Sequence, residues 1–117
     1  VALSEFTRKL VETKLGYFCR EKIPEMHRHR VALGFEIEEN AVTLFEERPL
    51  YCDPLSWVRT AVAQFRFDEQ TCEWSLYFPD NDFKWRPYYL NPKSDFEILL
   101  REVDEDPLQI FWGCSWS

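Results

Sequence analysis

Leu33-Gly34-Phe35-Glu36-Ile37-Glu38-Glu39-Asn40-Ala41-Val42-Thr43-Leu44-Phe45-Glu46-Glu47-Arg48-Pro49 is the stretch that decides the fold. Leu33 to Glu38 alternates apolar and polar residues, Glu39-Asn40 is a turn signal, and Ala41 to Arg48 alternates again. A period of two puts one face of each segment in a core and the other in water, which is a half-buried strand. Two such strands across a two-residue turn form a β-hairpin.

Toward the C-terminus the alternation continues. Pro49 and Asp53-Pro54 make a loop, Val58 to Phe67 a third strand, and Asp68 to Thr71 a turn. Cys72 to Phe78 is a fourth strand, Pro79 to Asp82 a turn, and Phe83 to Tyr89 a fifth strand. After Asn91-Pro92 the period becomes helical: Ser94-x-x-Glu97 reads as a capping box, and Phe96, Leu99, Leu100 and Val103 form one apolar stripe. Asp104-Glu105-Asp106-Pro107 ends that helix. Acids there oppose the helix dipole and are expected to be solvated or matched by a base from elsewhere. Leu108 to Trp112 is a candidate last strand, followed by a tail.

Toward the N-terminus, Leu3, Phe6, Leu10, Val11, Leu15 and Phe18 recur at three- and four-residue spacings, predicting a helix that Ser4 caps and Pro24 ends. Residues 24–31 read as a connector. The expected architecture is one α+β domain over 1–117: an N-terminal helix, an antiparallel meander of about five strands and a C-terminal helix, with the helices packed on the sheet.

Charge narrows the partners. The 117 residues carry 14 bases and 21 acids, a net charge of −7. Seven of the bases lie in residues 1–30 against four acids, so the remainder is strongly acidic. An acidic body disfavours nucleic acid, which needs a basic face to neutralise phosphates; only the first thirty residues, with Arg28-His29-Arg30, offer one. A helix–three-strand–helix subset matches double-stranded RNA-binding modules, but the second helix ends acidic. Cys19, Cys52, Cys72 and Cys114 form no C-x-x-C pair. No apolar run approaches membrane-spanning length and no leader pattern is present, so the expected setting is a cytoplasmic one with free thiols and no membrane.

Several motifs carry a likeness to a family. Leu33-Gly34-Phe35, Val42-x-Leu44-Phe45-Glu46-x-Arg48-Pro49 and Asp53-Pro54, followed by Trp74-x-Leu76-Tyr77, Asp82-Phe83-Lys84-Trp85-x-x-Tyr88 and Asp106-Pro107-x-x-x-Phe111-x-Gly113, span nearly the whole chain. In this order they resemble the bacterial family called domain of unknown function 3024. The resemblance implies a small bacterial protein and carries over no catalytic residue. Pro87 departs from the family's regular strand and implies an edge strand.

Charged residues within the aromatic strands are the candidate site. Glu46 and Arg48 share a strand face with Val42 and Leu44, and Asp82 and Lys84 share another. In suitable register the four make a cross-strand ion-pair network closing the sheet. If they open to solvent instead, Arg48 and Lys84 bind an anionic or amide-bearing ligand between Trp85 and Tyr88. Glu46, Asp82 and Lys84 also have the residue types of a metal-dependent hydrolase or nuclease. His27-x-His29 lacks the further ligands of a zinc site, no catalytic residue is assigned, and no metal or cofactor is expected. Tyr88, Tyr89 and the segment from Trp112 to Trp116 are candidates for an apolar partner surface. The reading is a non-enzymatic binding or accessory module for a protein or small-molecule partner, with a homodimer admitted. The alternatives are the metal-dependent hydrolase or nuclease, and nucleic-acid binding through the N-terminal segment.

Overall fold

The computed structural model describes residues 3–23, 31–50, 52–53 and 55–112. The hairpin forms where the alternation places it: β1 (Ala32–Glu38) pairs antiparallel with β2 (Ala41–Pro49), Phe35 opposite Leu44 and Ile37 opposite Val42. Its turn is locked to the next strand: the Asn40 side chain donates to the Phe67 carbonyl at 2.8 Å, and the Phe67 N–H donates back to the Asn40 carbonyl at 2.9 Å. β3 (Trp57–Asp68), β4 (Glu73–Pro79) and β5 (Trp85–Pro87) extend the sheet in the order β1-β2-β3-β4-β5, all antiparallel. The chain is an α+β meander, with α1 (Glu5–Glu21) and α2 (Phe96–Glu105) contributing to the same core as one sheet face.

That core contains Val11, Leu15 and Phe18 of α1, Phe96, Leu99 and Val103 of α2, and Val42, Leu44, Phe65, Trp74 and Leu76 of the sheet. Phe96 lies at the centre of its aromatic part, with ring centroids 4.8 Å from Phe65 and 4.9 Å from Trp74. The opposite sheet face mixes charged and polar side chains with the rings of Phe45, Trp57 and Tyr77, and on it Phe45 lies over Gly34. A Cβ on Gly34 would approach the Phe45 ring to 2.8 Å, so the glycine is required by that overlap. Between Leu44 and Phe45 the pairing jumps from Ala63 to Ala61, leaving Val62 as an extra residue in β3. This β-bulge lets Val62 and Ala63, neighbours in sequence, both be buried.

Four local expectations are corrected. First, Phe6 and Leu10 do not belong to the buried stripe of α1: Phe6 is 81% exposed, and the helix buries Val11, Leu15 and Phe18 instead. Second, the fifth strand is short. Asp80 Oδ1 accepts the backbone N–H groups of Asp82 (2.8 Å) and Lys84 (2.9 Å), while Oδ2 accepts from Arg86 Nε (2.7 Å), so residues 80–84 close as a turn and pairing starts only at Trp85. Third, Ser94 is not the cap of α2. Asp95 is, its carboxylate accepting the Glu97 N–H at 3.0 Å, and the Glu97 side chain engages Lys14 instead of reaching back.

Fourth, Leu108 to Trp112 is not a strand. Asp106 caps the C-terminus of α2 in a left-handed conformation (φ 45°) and is buried. Its carboxylate accepts the backbone N–H groups of Ile110 (2.8 Å), Phe111 (3.1 Å) and Trp112 (2.8 Å), which folds the segment into turns around one side chain. The acidic helix end is also matched by a base, as its charge requires: Lys22 Nζ donates to both the carbonyl and the carboxylate of Asp104, each at 3.0 Å.

Candidate functional site

The residues singled out from sequence are placed apart. Glu46 and Arg48 share a face of β2 and pair with each other, Arg48 Nε donating to Glu46 Oε1 at 2.6 Å. Asp82 and Lys84 lie in the turn beyond β4, so β3 and β4 stand between the two pairs, more than two strand spacings or upwards of roughly 10 Å in all. The expected four-member network is therefore not assembled, and Asp80 holds the turn in place of Asp82. Tyr88 is buried, donating its hydroxyl to Glu102 Oε2 at 2.7 Å and packing on Phe111, while Trp85 is half-buried on β5. Arg48, Lys84, Trp85 and Tyr88 line neither of the two cavities described below. Among the described residues, no three His, Cys, Asp or Glu side chains come together as a metal-holding group. His27, His29 and the Arg28–Arg30 cluster lie outside the described residues, as does the segment from Gly113 through Trp116. Tyr88 and Trp112 are core residues, which removes them from the expected apolar surface; Tyr89 remains exposed.

What the fold does create is a slot between α1 and α2. Two ion pairs strap the helices together, Lys14 to Glu97 and Lys22 to Asp104. Both partners advance along the chain, so the helices run parallel, and the straps stand about 10–12 Å apart at 1.5 Å per residue. Between them lies a cavity of about 500 Å³ lined by Tyr17, Phe18 and Glu21 from α1 and by Leu100 and Arg101 from α2. Phe18 and Leu100 are nearly buried and form its floor, and Tyr17 is an exposed wall. Lys22 Nζ also sits 5.3 Å from the centroid of the Trp112 ring, which closes one end of the α1–α2 seam.

The charges in this slot are of two kinds. The four strap residues neutralise one another across it. Glu21 and Arg101, one from each helix, also line it and have no ion-pair or hydrogen-bond partner among the described residues. An apolar floor, an aromatic wall and one unmatched charge of each sign are the elements of a small-molecule site, since the apolar surface supplies affinity and a few polar groups fix orientation.

Other parts of the surface are occupied by the chain's own side chains. On the open sheet face the Arg59 guanidinium lies 3.8 Å from the Phe45 ring centroid and pairs with Glu36 and Glu47. Arg66 lies 3.9 Å from the Tyr77 ring and bonds Gln64. Both rings are capped, leaving no bare aromatic platform at either. A second cavity of about 540 Å³ opens by Asn40, Arg66 and Tyr77 at the end of β3, walled by the polar turn residues Asp68 to Gln70.

Burial shifts two ionisable groups. The Cys19 thiol is pushed up to about 11 by desolvation, so it stays protonated and unreactive at neutral pH. Burial, reinforced by the hydrogen bond to Glu102, pushes the Tyr88 phenol well above the usual tyrosine value. The Asp80 carboxyl is held below its ordinary value by its hydrogen bond from the Lys84 N–H, by Arg86 and by the Asp82 N–H.

The slot was invisible to a face-by-face reading of the strands because it arises between two helices far apart in sequence. Its one sequence signal lay in α1. Thr13, Tyr17 and Glu21 recur at a spacing of four along a line of α1 distinct from that of Val11 and Leu15.

A family model described as "Domain of unknown function (DUF3024)" matches residues 3–113. No curated protein and no solved structure matches the chain.

Proposed function

We propose, for a chain that belongs to the family of domain of unknown function DUF3024, a non-enzymatic binding module whose ligand enters the slot between α1 and α2. The observation that carries this reading is the pairing of an apolar floor with two unmatched opposite charges, Glu21 and Arg101, inside a 500 Å³ space. Its ligand is a zwitterion with an apolar body, of amino-acid to dipeptide size. Arg101 takes the anionic end as a fork of N–H donors, Glu21 takes the cationic end, and Tyr17, Phe18 and Leu100 cover the body. The straps hold the two walls in place before the ligand arrives, which reduces the ordering that binding requires.

The test is amide-proton NMR of the whole chain titrated with phenylalanine and leucyl-phenylalanine, each beside its N-acetylated and C-amidated analogue. Shift changes centred on Tyr17, Leu100 and Arg101, with affinity falling at least tenfold when either terminal charge is removed, are expected. Glu21→Gln and Arg101→Gln should each weaken the zwitterion similarly while leaving the melting temperature unchanged, because both side chains are exposed and unpaired. Shift changes that appear elsewhere, or none with any of the probes up to millimolar concentration, would reject the slot as the site.

A further inference from the structure

We infer that the outer stripe of α1 is the contact surface for a second copy of the chain, docked as an antiparallel pair of α1 helices. Phe6, Leu10, Thr13 and Tyr17 fall within a sector of roughly 60° at 100° per residue, on the side of α1 turned away from its own core. Phe6 is 81% and Tyr17 61% exposed.

The stripe is self-complementary about a two-fold axis. Placing the axis midway between Val11 and Glu12 sets Phe6 of one copy against Tyr17 of the other and Leu10 against Thr13, and the same pairs recur by symmetry. Four-three-four spacing is the seam of an antiparallel coiled pair, where each knob meets its counterpart across the axis. The flanks agree in charge. On one side the same axis brings Lys9 within reach of the second copy's Glu12, and Glu5 within reach of its Arg20, each twice over. Arg20 also lies over its own Tyr17 ring at 6.0 Å, so it is already directed toward the seam. On the other flank Lys14 is neutralised by Glu97, which removes the like-charge contact it would otherwise face.

The area sets the strength. With aromatic side chains of about 150–250 Å² each, two copies of Phe6, Tyr17 and Leu10 bring roughly 700 Å² of apolar surface together. A stable interface buries about 1,600 Å² in total, so this smaller one gives a weak, concentration-dependent dimer. It is independent of the ligand reading above, except that Thr13 and Tyr17 border both surfaces.

Analytical ultracentrifugation of the full chain from about 1 to 500 µM tests it. Mass should rise from one chain to two across that range. Phe6→Ala should raise the dissociation constant at least threefold without lowering the melting temperature. Lys9→Glu should weaken the dimer likewise, and Lys9→Glu combined with Glu12→Lys should restore it, since the swapped charges meet again across the axis. A chain monomeric throughout, a Phe6→Ala effect under threefold, or a double swap no better than Lys9→Glu would each overturn the inference. Glu21→Gln and Arg101→Gln should leave the mass unchanged, which separates this result from failure of the slot.

Discussion

Replacing Asp106 should be the most damaging single substitution outside the apolar core, and its cost can be worked from the hydrogen bonds. In Asp106→Ala the N–H groups of Phe111 and Trp112 lose their acceptor while buried, and that of Ile110 loses it while half-buried. A buried donor left unsatisfied costs about 1–3 kcal/mol, so the three together amount to about 3–5 kcal/mol after partial hydration of Ile110. The backbone adds to this, since φ of 45° is a left-handed conformation that alanine adopts at an expense of about 1 kcal/mol. Asp106→Gly removes the carboxylate without the steric term and should be milder by that last amount. Asp106→Asn keeps one acceptor for Ile110 and Phe111 but turns a donor toward the Trp112 N–H, placing it at about 1–3 kcal/mol. Urea unfolding followed by tryptophan fluorescence reads all three. For a chain of this size about 4 kcal/mol corresponds to a fall in Tm of roughly 10–25 °C. An Asp106→Ala protein within about 1 kcal/mol of the parent would refute the reasoning, as would alanine and glycine variants of equal stability.

Two further outcomes follow from the structure. Gly34→Ala should destabilise by about 1–2 kcal/mol because its Cβ presses on the Phe45 ring, and adding Phe45→Leu should recover most of the loss in a denaturant titration. Tyr88 has its folded pKa raised above the unfolded value of about 10. The stability it contributes is therefore fully present below pH 10 and declines above it, as the unfolded chain ionises and the folded one does not. Tyr88→Phe should flatten that alkaline decline in a pH series of melting curves; an unchanged slope would remove Tyr88 as its cause.

The parts of the fold visible in sequence were those fixed by local pattern. The hairpin around Glu39-Asn40 was legible because period-two alternation and turn chemistry agree there. Legibility failed where one side chain gathers several backbone groups. Asp80 converts the start of an apparent strand into a turn, and Asp106 does the same to Leu108–Trp112; neither effect leaves a periodic trace. It failed again at α1, whose two apolar stripes merge into one when spacings are counted without asking which angle they share. The charged strand residues pointed to a site because charges amid aromatics stand out. The slot draws on Glu21 and Arg101, ordinary surface charges in sequence that gain a setting only when α1 and α2 are strapped side by side.

Val62 bears on how this sheet tolerates change. In a strand, sidedness is a matter of parity, and the surplus residue resets the parity of everything before it. Arg59 reaches Phe45 and Glu36 on the open face, while Phe65 points into the core, because an odd residue intervenes between them. The chemical identity at position 62 matters little to that arrangement, since any modest apolar side chain would fill the space. How the extra residue is accommodated matters a great deal. Deleting Val62 would leave Arg59 and Phe65 five residues apart, an odd separation that a regular strand also places on opposite faces, so Trp57, Arg59 and Ala61 would keep their side. Keeping the residue but flattening the bulge would instead send all three through the sheet in exchange for Val58 and Thr60. The first half of β3 thus tolerates the loss of its surplus residue and does not tolerate that residue being drawn into the ladder.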